Sequence, residues 1–469
     1  MTPSSNGQVH ELDRTDIESY TIRGGTVYER FFDCPLDYSS PENGQQVRIF
    51  VRHIVPLGKE AKVHELPFLL YLQGGPGFEC SLPGSVKHGW HAKAIDEGYQ
   101  ILLIDQRGTG FSSPINADSL DATFSTTAEK VQYISHFRAD NIVRDCEHVR
   151  KILCAGRKDE ASQKLTLLGQ SFGGFCITTY LSLFPNSISK AFITGGIPPL
   201  VDSPDAVYKA TYRCMISRSK QYYEKFPRDV ARVRTVIEFL NRNCVKLPDG
   251  GNLSPCRFQQ LGLVFGFTGG FDQVHQLVLM ASSDIDTMNK LSAHTLAAVA
   301  SMSSFDANPL YCILHEAIYC QNGNPSLWSA QRVREQCFAA EFEHSWDKIL
   351  ARSDPDMPVY FTGETVYPWM LDDYAQLHRL KDVAIGLAEY SGWGQLYDTS
   401  VLAENTVPVA GVSYYNDMFV DFNLSEQTAR AIKGFRQWVT NEYHHNGLRA
   451  DPRVMDYLVD LLRGDITDL

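Results

Sequence analysis

Two stretches between positions 26 and 56, TVYERFFDCPLDY and QQVRIFVRHIVP, alternate apolar with polar residues and are separated by the turn-forming SSPENG. Alternation with a period of two on either side of a turn predicts an antiparallel pair at an edge of a sheet. Further on, PFLLYL at 67–72 and YQILLID at 99–105 are near-continuous apolar runs, the pattern of parallel strands buried on both faces. Each runs into glycine-rich turn chemistry, QGGPG after the first and QRGTG after the second. The segment 126–153 carries apolar residues at helical spacing and predicts a helix, followed by a strand in KLTLLGQ and a sharp turn. FCITTYLSLFP predicts a helix stopped by Pro185, and KAFITGG at 190–196 another short strand. Strands alternating with helices in this order predict a parallel sheet with right-handed crossovers.

At Ile197 the rhythm breaks. From there to about position 380 the periodicity is helical, as in SRSKQYYEKFP and DVARVRTVIEFLNRNC, with loop-like interruptions LPDGGNLSP and FGFTGGF. Sheet rhythm returns with VPVAGVSYYND at 407–417, a helix in LSEQTARAIKGF, a strand in FRQWVTNEYHH and a last helix in PRVMDYLVDLLRG. The expected organisation is therefore a discontinuous α/β body, 1–196 and 384–469, with a helical cap at 197–383 inserted after the strand ending near Gly196. No internal repeat or low-complexity tract interrupts it.

Composition narrows the function classes. With 469 residues, 43% of them hydrophobic and 21% charged, the chain has ample apolar surface for a packed core, which excludes global disorder. Its 43 basic against 55 acidic residues leave a net charge of −12, which repels a phosphate backbone, so no nucleic-acid partner is expected. No apolar run approaches the roughly 18 residues needed to span a bilayer. The start, MTPSSNGQVHELDRTD, lacks the apolar core of a signal peptide. Eleven cysteines, scattered from Cys34 to Cys337 without CxxC or Cys/His ligand spacing, fit reduced thiols and no metal site. A soluble cytoplasmic protein with no membrane or nucleic-acid partner is the expectation.

The chemistry centres on Gly169-Gln170-Ser171-Phe172-Gly173, a G-x-S-x-G between a predicted strand and a predicted helix. Small residues two positions either side of the serine allow a tight turn that holds its hydroxyl above the sheet, at a helix N-terminus where an oxyanion is stabilised. Serine at its free pKa is a poor nucleophile and needs a histidine base oriented by an acid. In the α/β-hydrolase fold the chain order is Ser, acid, His. That order leaves His275, His294, His315, His344, His378, His444 and His445, of which the first five fall in the predicted cap or its exit. His444 and His445 follow the last predicted strand; neighbouring side chains there point opposite ways, so one of the two faces the site. Asp417, at the end of VPVAGVSYYND, is the expected acid, whereas Asp421 lies past that strand and suits a helix cap. Gly74-Gly75-Pro76-Gly77 closes the first buried strand, and the amide of Gly75 is expected to join that of Phe172 as an oxyanion hole. DQRGTGFSSP at 105–114 is assigned a structural role. Cys176 is expected on a buried helix face.

Taken together, GGPG, DQRGTGFS, GQSFGG, an Asp after a late strand and a C-terminal HxGLR resemble the prolyl aminopeptidases, or proline iminopeptidases, of the α/β-hydrolase fold. LHEAIYCQ, FTGETVYPWM, YNDMFVDF and TNEYHHNGLRAD are similar to segments of the longer subgroup of that family. The resemblance implies a mostly parallel sheet with a helical cap, and His445 as the catalytic histidine because it directly precedes the polar-Gly-Leu-Arg run. It implies hydrolysis of short peptides with a free N-terminal proline, without a cofactor. It also implies cap carboxylates that hold the substrate ammonium, for which Glu316 and Glu364 sit in the matching segments, with Glu341 and Glu343 as runners-up. Paired carboxylates beside a cationic amine are chemically sensible. One departure is Gln73, where the family often has His in HGGPG; a hole built from backbone amides tolerates it. An esterase or amidase acting on a small apolar substrate is the alternative on the same fold, and a noncatalytic receptor a more distant one.

Overall fold

The computed structural model describes residues 16–302, 305–352, 354 and 357–466. Nearly all of the polar start singled out in the sequence lies outside the described residues. Nine strands form one sheet: β1 (Asp16–Ile22), β2 (Gly25–Pro35), β3 (Gln46–Pro56), β4 (Phe68–Leu72), β5 (Gln100–Ile104), β6 (Leu165–Gln170), β7 (Ile188–Thr194), β8 (Val409–Tyr414) and β9 (Phe435–Thr440). Their order is β1-β2-β3-β5-β4-β6-β7-β8-β9. The first three pair antiparallel, β3 meets β5 antiparallel, and every pairing from β5 through β9 is parallel.

The apolar runs decide which strands are central. In β4, Phe68, Leu70 and Leu72 enter the core on one side of the sheet, while Leu69 and Tyr71 enter the core on the other. β5 divides in the same way, Leu102 and Ile104 against Ile101 and Leu103. Side chains alternate across a strand, so an unbroken apolar run fills two cores at once. β9 breaks that pattern and sits at the sheet edge, with Val439 43% exposed.

Three features depart from the sequence reading. A strand, β1, precedes the antiparallel pair and forms the edge in its place. The helical stretch at 126–153 is two helices, Thr127–Ile134 and Ala139–Leu153. The break turns the buried Arg138 toward the late helical region, where it donates to the carbonyls of Cys320 and Gly394 and lies 4.8 Å from the Trp393 ring centroid. β8 ends at Tyr414, so Asp417 belongs to the turn that follows.

Between β7 and β8 the named elements among the described residues are all helical, from Asp205–Lys225 through Thr399–Ala403. The Lys381–Glu389 helix spans the 383/384 division taken from the sequence. The loop after β5 is fixed from below. Asp105 accepts from the amides of Cys80 (2.9 Å) and Phe111 (3.1 Å), which ties the turn after β4 to the turn after β5. Arg107 makes a two-pronged pair with Asp145 at 2.7 and 2.6 Å and donates to the carbonyls of Leu36, His136 and Pro35. A fully buried ion pair is tolerated when its remaining hydrogen-bonding capacity is met in this way. Neither Asp105 nor Arg107 lines the cavity beside Ser171.

Candidate active site

Ser171 is the residue immediately after β6 and caps the Phe172–Leu183 helix. Its backbone sits at φ 56° and ψ −126°, a conformation that costs a non-glycine residue of order 1–3 kcal/mol and persists only where the surroundings enforce it. The enforcement is visible: the Ser171 amide donates to the Thr194 carbonyl at 3.0 Å, and its carbonyl accepts from the Gly174 amide at 2.7 Å. The first turn of the helix lies so close to β4 that a methyl group at Gly173 would run into the Leu72 carbonyl oxygen. A larger residue there would push the helix off the sheet and the serine out of its elbow.

His445 follows β9 in the loop that leads to the Gly447–Ala450 helix, and its amide donates to the Gly266 carbonyl at 3.1 Å. Its Nε2 lies 2.8 Å from Ser171 Oγ and its Nδ1 2.7 Å from Asp417 Oδ2. The second oxygen of Asp417 accepts from the amides of Phe419 (2.8 Å) and Val420 (3.1 Å), which fixes the carboxylate in its turn. The three side chains lie in residues only 8%, 2% and 4% exposed for Ser171, Asp417 and His445. Burial disfavours a charged imidazole, but the charge and hydrogen bond of Asp417 outweigh it and raise the His445 pKa above its ordinary value. His444 stands outside this set, and burial lowers its pKa. Asp421 caps the Phe422–Ala431 helix, accepting from the amides of Asn423 and Leu424 at 3.0 Å each.

The glycine turn after β4 presses on the serine: a methyl at Gly74 would stand 2.9 Å from Ser171 Cβ. Gly74 and Gly75 line a cavity of about 290 Å³ together with Ser171, His445, Phe78, Leu263, Val264, Phe267, Met302, Tyr311, Glu364 and Arg449. Phe172 opens the helix, so its amide has no acceptor within that helix. Glu364 Oε1 accepts from the Tyr311 hydroxyl at 2.5 Å, and Oε2 lies 4.0 Å from His315 Nε2. Burial pushes the Glu364 pKa up to about 7, against the opposing influence of His445 and the Tyr311 hydrogen bond. His315 is held neutral by burial, its pKa lowered to about 4. Among the described residues no group of three or more His, Cys, Asp or Glu side chains is arranged to hold a metal ion. Nor does any helix among them have the length and apolarity to cross a membrane.

The alpha/beta hydrolase fold family matches residues 67–235, which carry the glycine turn and the serine elbow. A proline iminopeptidase of Aeromonas sobria is 40% identical over 445 residues, 95% of this chain and 98% of that protein. The chain belongs to the proline iminopeptidase family. A second such enzyme, from Aspergillus aculeatus, is 39% identical over 89% of both chains. A tripeptidyl aminopeptidase of Streptomyces lividans is 25% identical over 37% of this chain and 36% of its own.

One predicted site residue of this family member lies elsewhere. Glu316 does not line the cavity beside Ser171; its oxygens accept from the amides of Ser329 (3.1 Å) and Ala330 (2.9 Å), at the start of the Ser329–Cys337 helix. A helix N-terminus offers free N–H groups and a favourable dipole, which explains a buried carboxylate there. The side chain is committed to that role, so the predicted pair with Glu364 does not form. Replacing Glu316 with alanine strands two buried amides and is expected to cost about 2–4 kcal/mol of stability. Calorimetric melting would read this, while the preference for a free over an acetylated N-terminal proline should persist. Glu343, a runner-up, likewise caps a turn through the amides of His344 and Ser345, each at 2.9 Å, and lies off the cavity. The sequence reading assigned no site role to Tyr311 or Arg449. Arg449 had a signal in the HxGLR run; Tyr311 had none, because only folding brings it to Glu364.

Proposed function

We propose that this chain is a serine aminopeptidase that releases N-terminal proline from short peptides. The observation that carries the reading is the hydrogen-bonded series Ser171, His445, Asp417 opening into a cavity whose acidic side chain is Glu364. Ser171 Oγ attacks the carbonyl of the first residue while His445 Nε2 takes its proton. Asp417 holds His445 in the tautomer that leaves Nε2 free to accept and stabilises the imidazolium formed. The amides of Gly75 and Phe172 receive the oxyanion of the tetrahedral intermediate. The imidazolium protonates the departing peptide amine, and water, deprotonated by the same histidine, then cleaves the acyl-enzyme.

A single carboxylate is chemically sufficient at the amine end. The nitrogen of N-terminal proline is a secondary ammonium with two N–H donors, and one carboxylate has two oxygens to receive them. Phe78, Leu263, Val264, Phe267 and Met302 supply apolar walls for the pyrrolidine ring. Most of these side chains come from the helical stretch at 197–383, which we read as a cap that completes the site and excludes longer N-terminal extensions. All eleven cysteines are free, and nine of them are buried or partly so, only Cys244 and Cys337 being exposed, which supports action in the reducing cytoplasm.

The test uses a proline-initiated dipeptide and its N-acetylated counterpart, with liberated proline measured by chromatography. Release of proline from the free-amine form alone bears the reading out. Equal cleavage of the blocked form, or cleavage only of simple esters, would replace it with the esterase or amidase alternative.

A further inference from the structure

The cavity beside Ser171 is lined by a carboxylate, Glu364, and a guanidinium, Arg449. They differ in placement. Glu364 is held inward by Tyr311, with its side chain 15% exposed, whereas Arg449 is an exposed residue at the cavity rim. Arg449 Nη2 donates to Gln73 Oε1 at 2.8 Å, and that same oxygen accepts from the Tyr71 hydroxyl at 2.9 Å. Gln73 immediately precedes the glycine turn that touches Ser171. The guanidinium is thus held beside the start of that glycine turn by a neutral partner. Among the described residues it has no carboxylate partner to neutralise it.

We propose that Arg449 receives the C-terminal carboxylate of the substrate, making short zwitterionic peptides, dipeptides foremost, the preferred class. The inference rests on the aminopeptidase reading above. With the ammonium at Glu364 and the first carbonyl at Ser171, the remainder of a dipeptide points toward the solvent-facing rim, where its carboxylate meets Arg449. An arginine fork matches a carboxylate in shape and charge and leaves donors to spare beyond the Gln73 bond. A zwitterionic dipeptide has no net charge, so the protein's overall −12 does not decide its binding, and its carboxylate end needs a local cation at the mouth.

The experiment compares kcat/KM for Pro-Ala with that for Pro-Ala amide, in the unsubstituted protein and in Arg449→Met and Arg449→Lys. The unsubstituted protein is expected to favour the free acid by about tenfold, the size of one exposed charge-assisted contact. The ratio should fall to about one in Arg449→Met, chiefly through KM, and recover partly in Arg449→Lys. In the unsubstituted protein it should also shrink in 0.5 M NaCl, a reading that needs no variant. A ratio of one without added salt, or a ratio that Arg449→Met leaves unchanged, overturns the proposal. Hydrolysis of proline β-naphthylamide by the unsubstituted protein separates the two readings: if it fails, the aminopeptidase assignment falls with the subsite; if it proceeds, the ratio judges Arg449 alone.

Discussion

Ser171→Ala is expected to lower kcat on proline-terminated peptides by about 10⁴- to 10⁶-fold, the range found when a serine nucleophile is removed from a complete triad. The hydroxyl sits 2.8 Å from His445 Nε2 and in the proposed mechanism forms the bond that carries the acyl group, for which no neighbouring atom substitutes. The remaining activity would reflect oriented binding and the oxyanion amides alone. Folding should survive, because the strained elbow is held by backbone bonds to Thr194 and Gly174 that alanine keeps. Two measurements check this. Steady-state turnover gives the loss, and intact mass after mixing with a slow proline ester shows an acyl adduct on the unsubstituted chain and none on the variant. Retention of more than a tenth of the activity would remove Ser171 from the mechanism.

The second large effect concerns Glu364. Exchanging it for glutamine keeps shape and one acceptor but removes the charge that, in the proposed reading, faces the substrate ammonium. The loss of one partner of a buried ion pair costs about 3–5 kcal/mol, a fall in kcat/KM between a hundredfold and several thousandfold. The pH profile carries a sharper prediction. Burial holds the Glu364 carboxyl up to about 7, so in the free protein it is neutral below that pH and charged above it. His445 must be neutral to act as base, and its pKa is raised, against burial, by Asp417 and further by Glu364. kcat/KM should therefore climb around pH 7 as Glu364 ionises, and further as His445, whose pKa is raised above its ordinary value, loses its proton. In Glu364→Gln the first titration is absent and the histidine loses one of the charges that raise its pKa. Both changes move the acid limb to lower pH. A residue that merely supports the fold would reduce the amplitude and leave the limb in place, and that outcome would count against the ammonium site.

Much of this architecture is legible in the chain because its causes are local. FLLYL and QILLI are apolar without alternation, and that alone sends them to the two-sided centre of the sheet. GQSFGG is legible for a related reason, since a strained serine needs small neighbours to let helix and strand approach, and those neighbours are contiguous with it. Helix caps belong to the same class: Asp421 stands one residue before a helical run, and it caps it. The break between the Thr127–Ile134 and Ala139–Leu153 helices was not legible. What holds Arg138 in the gap is a set of carbonyls and a tryptophan more than 170 positions away.

The same distinction separates the site residues. Membership of the proline iminopeptidase family, the serine elbow, the glycine turn and the short list of acid and base candidates were all present in the sequence, as contiguous patterns whose chemistry requires those residue types. Tertiary structure alone separated the surroundings of Glu316 from those of Glu364, two glutamates in equally suggestive segments. Glu316 met the free amides of a helix start and was taken up there, while Glu364 met Tyr311 and the cavity of Ser171. It likewise brought Arg449 to Gln73 across 376 positions of chain. A carboxylate or guanidinium acts through whatever lies within a few ångströms of its tip, and those neighbours come from parts of the chain that no local pattern links.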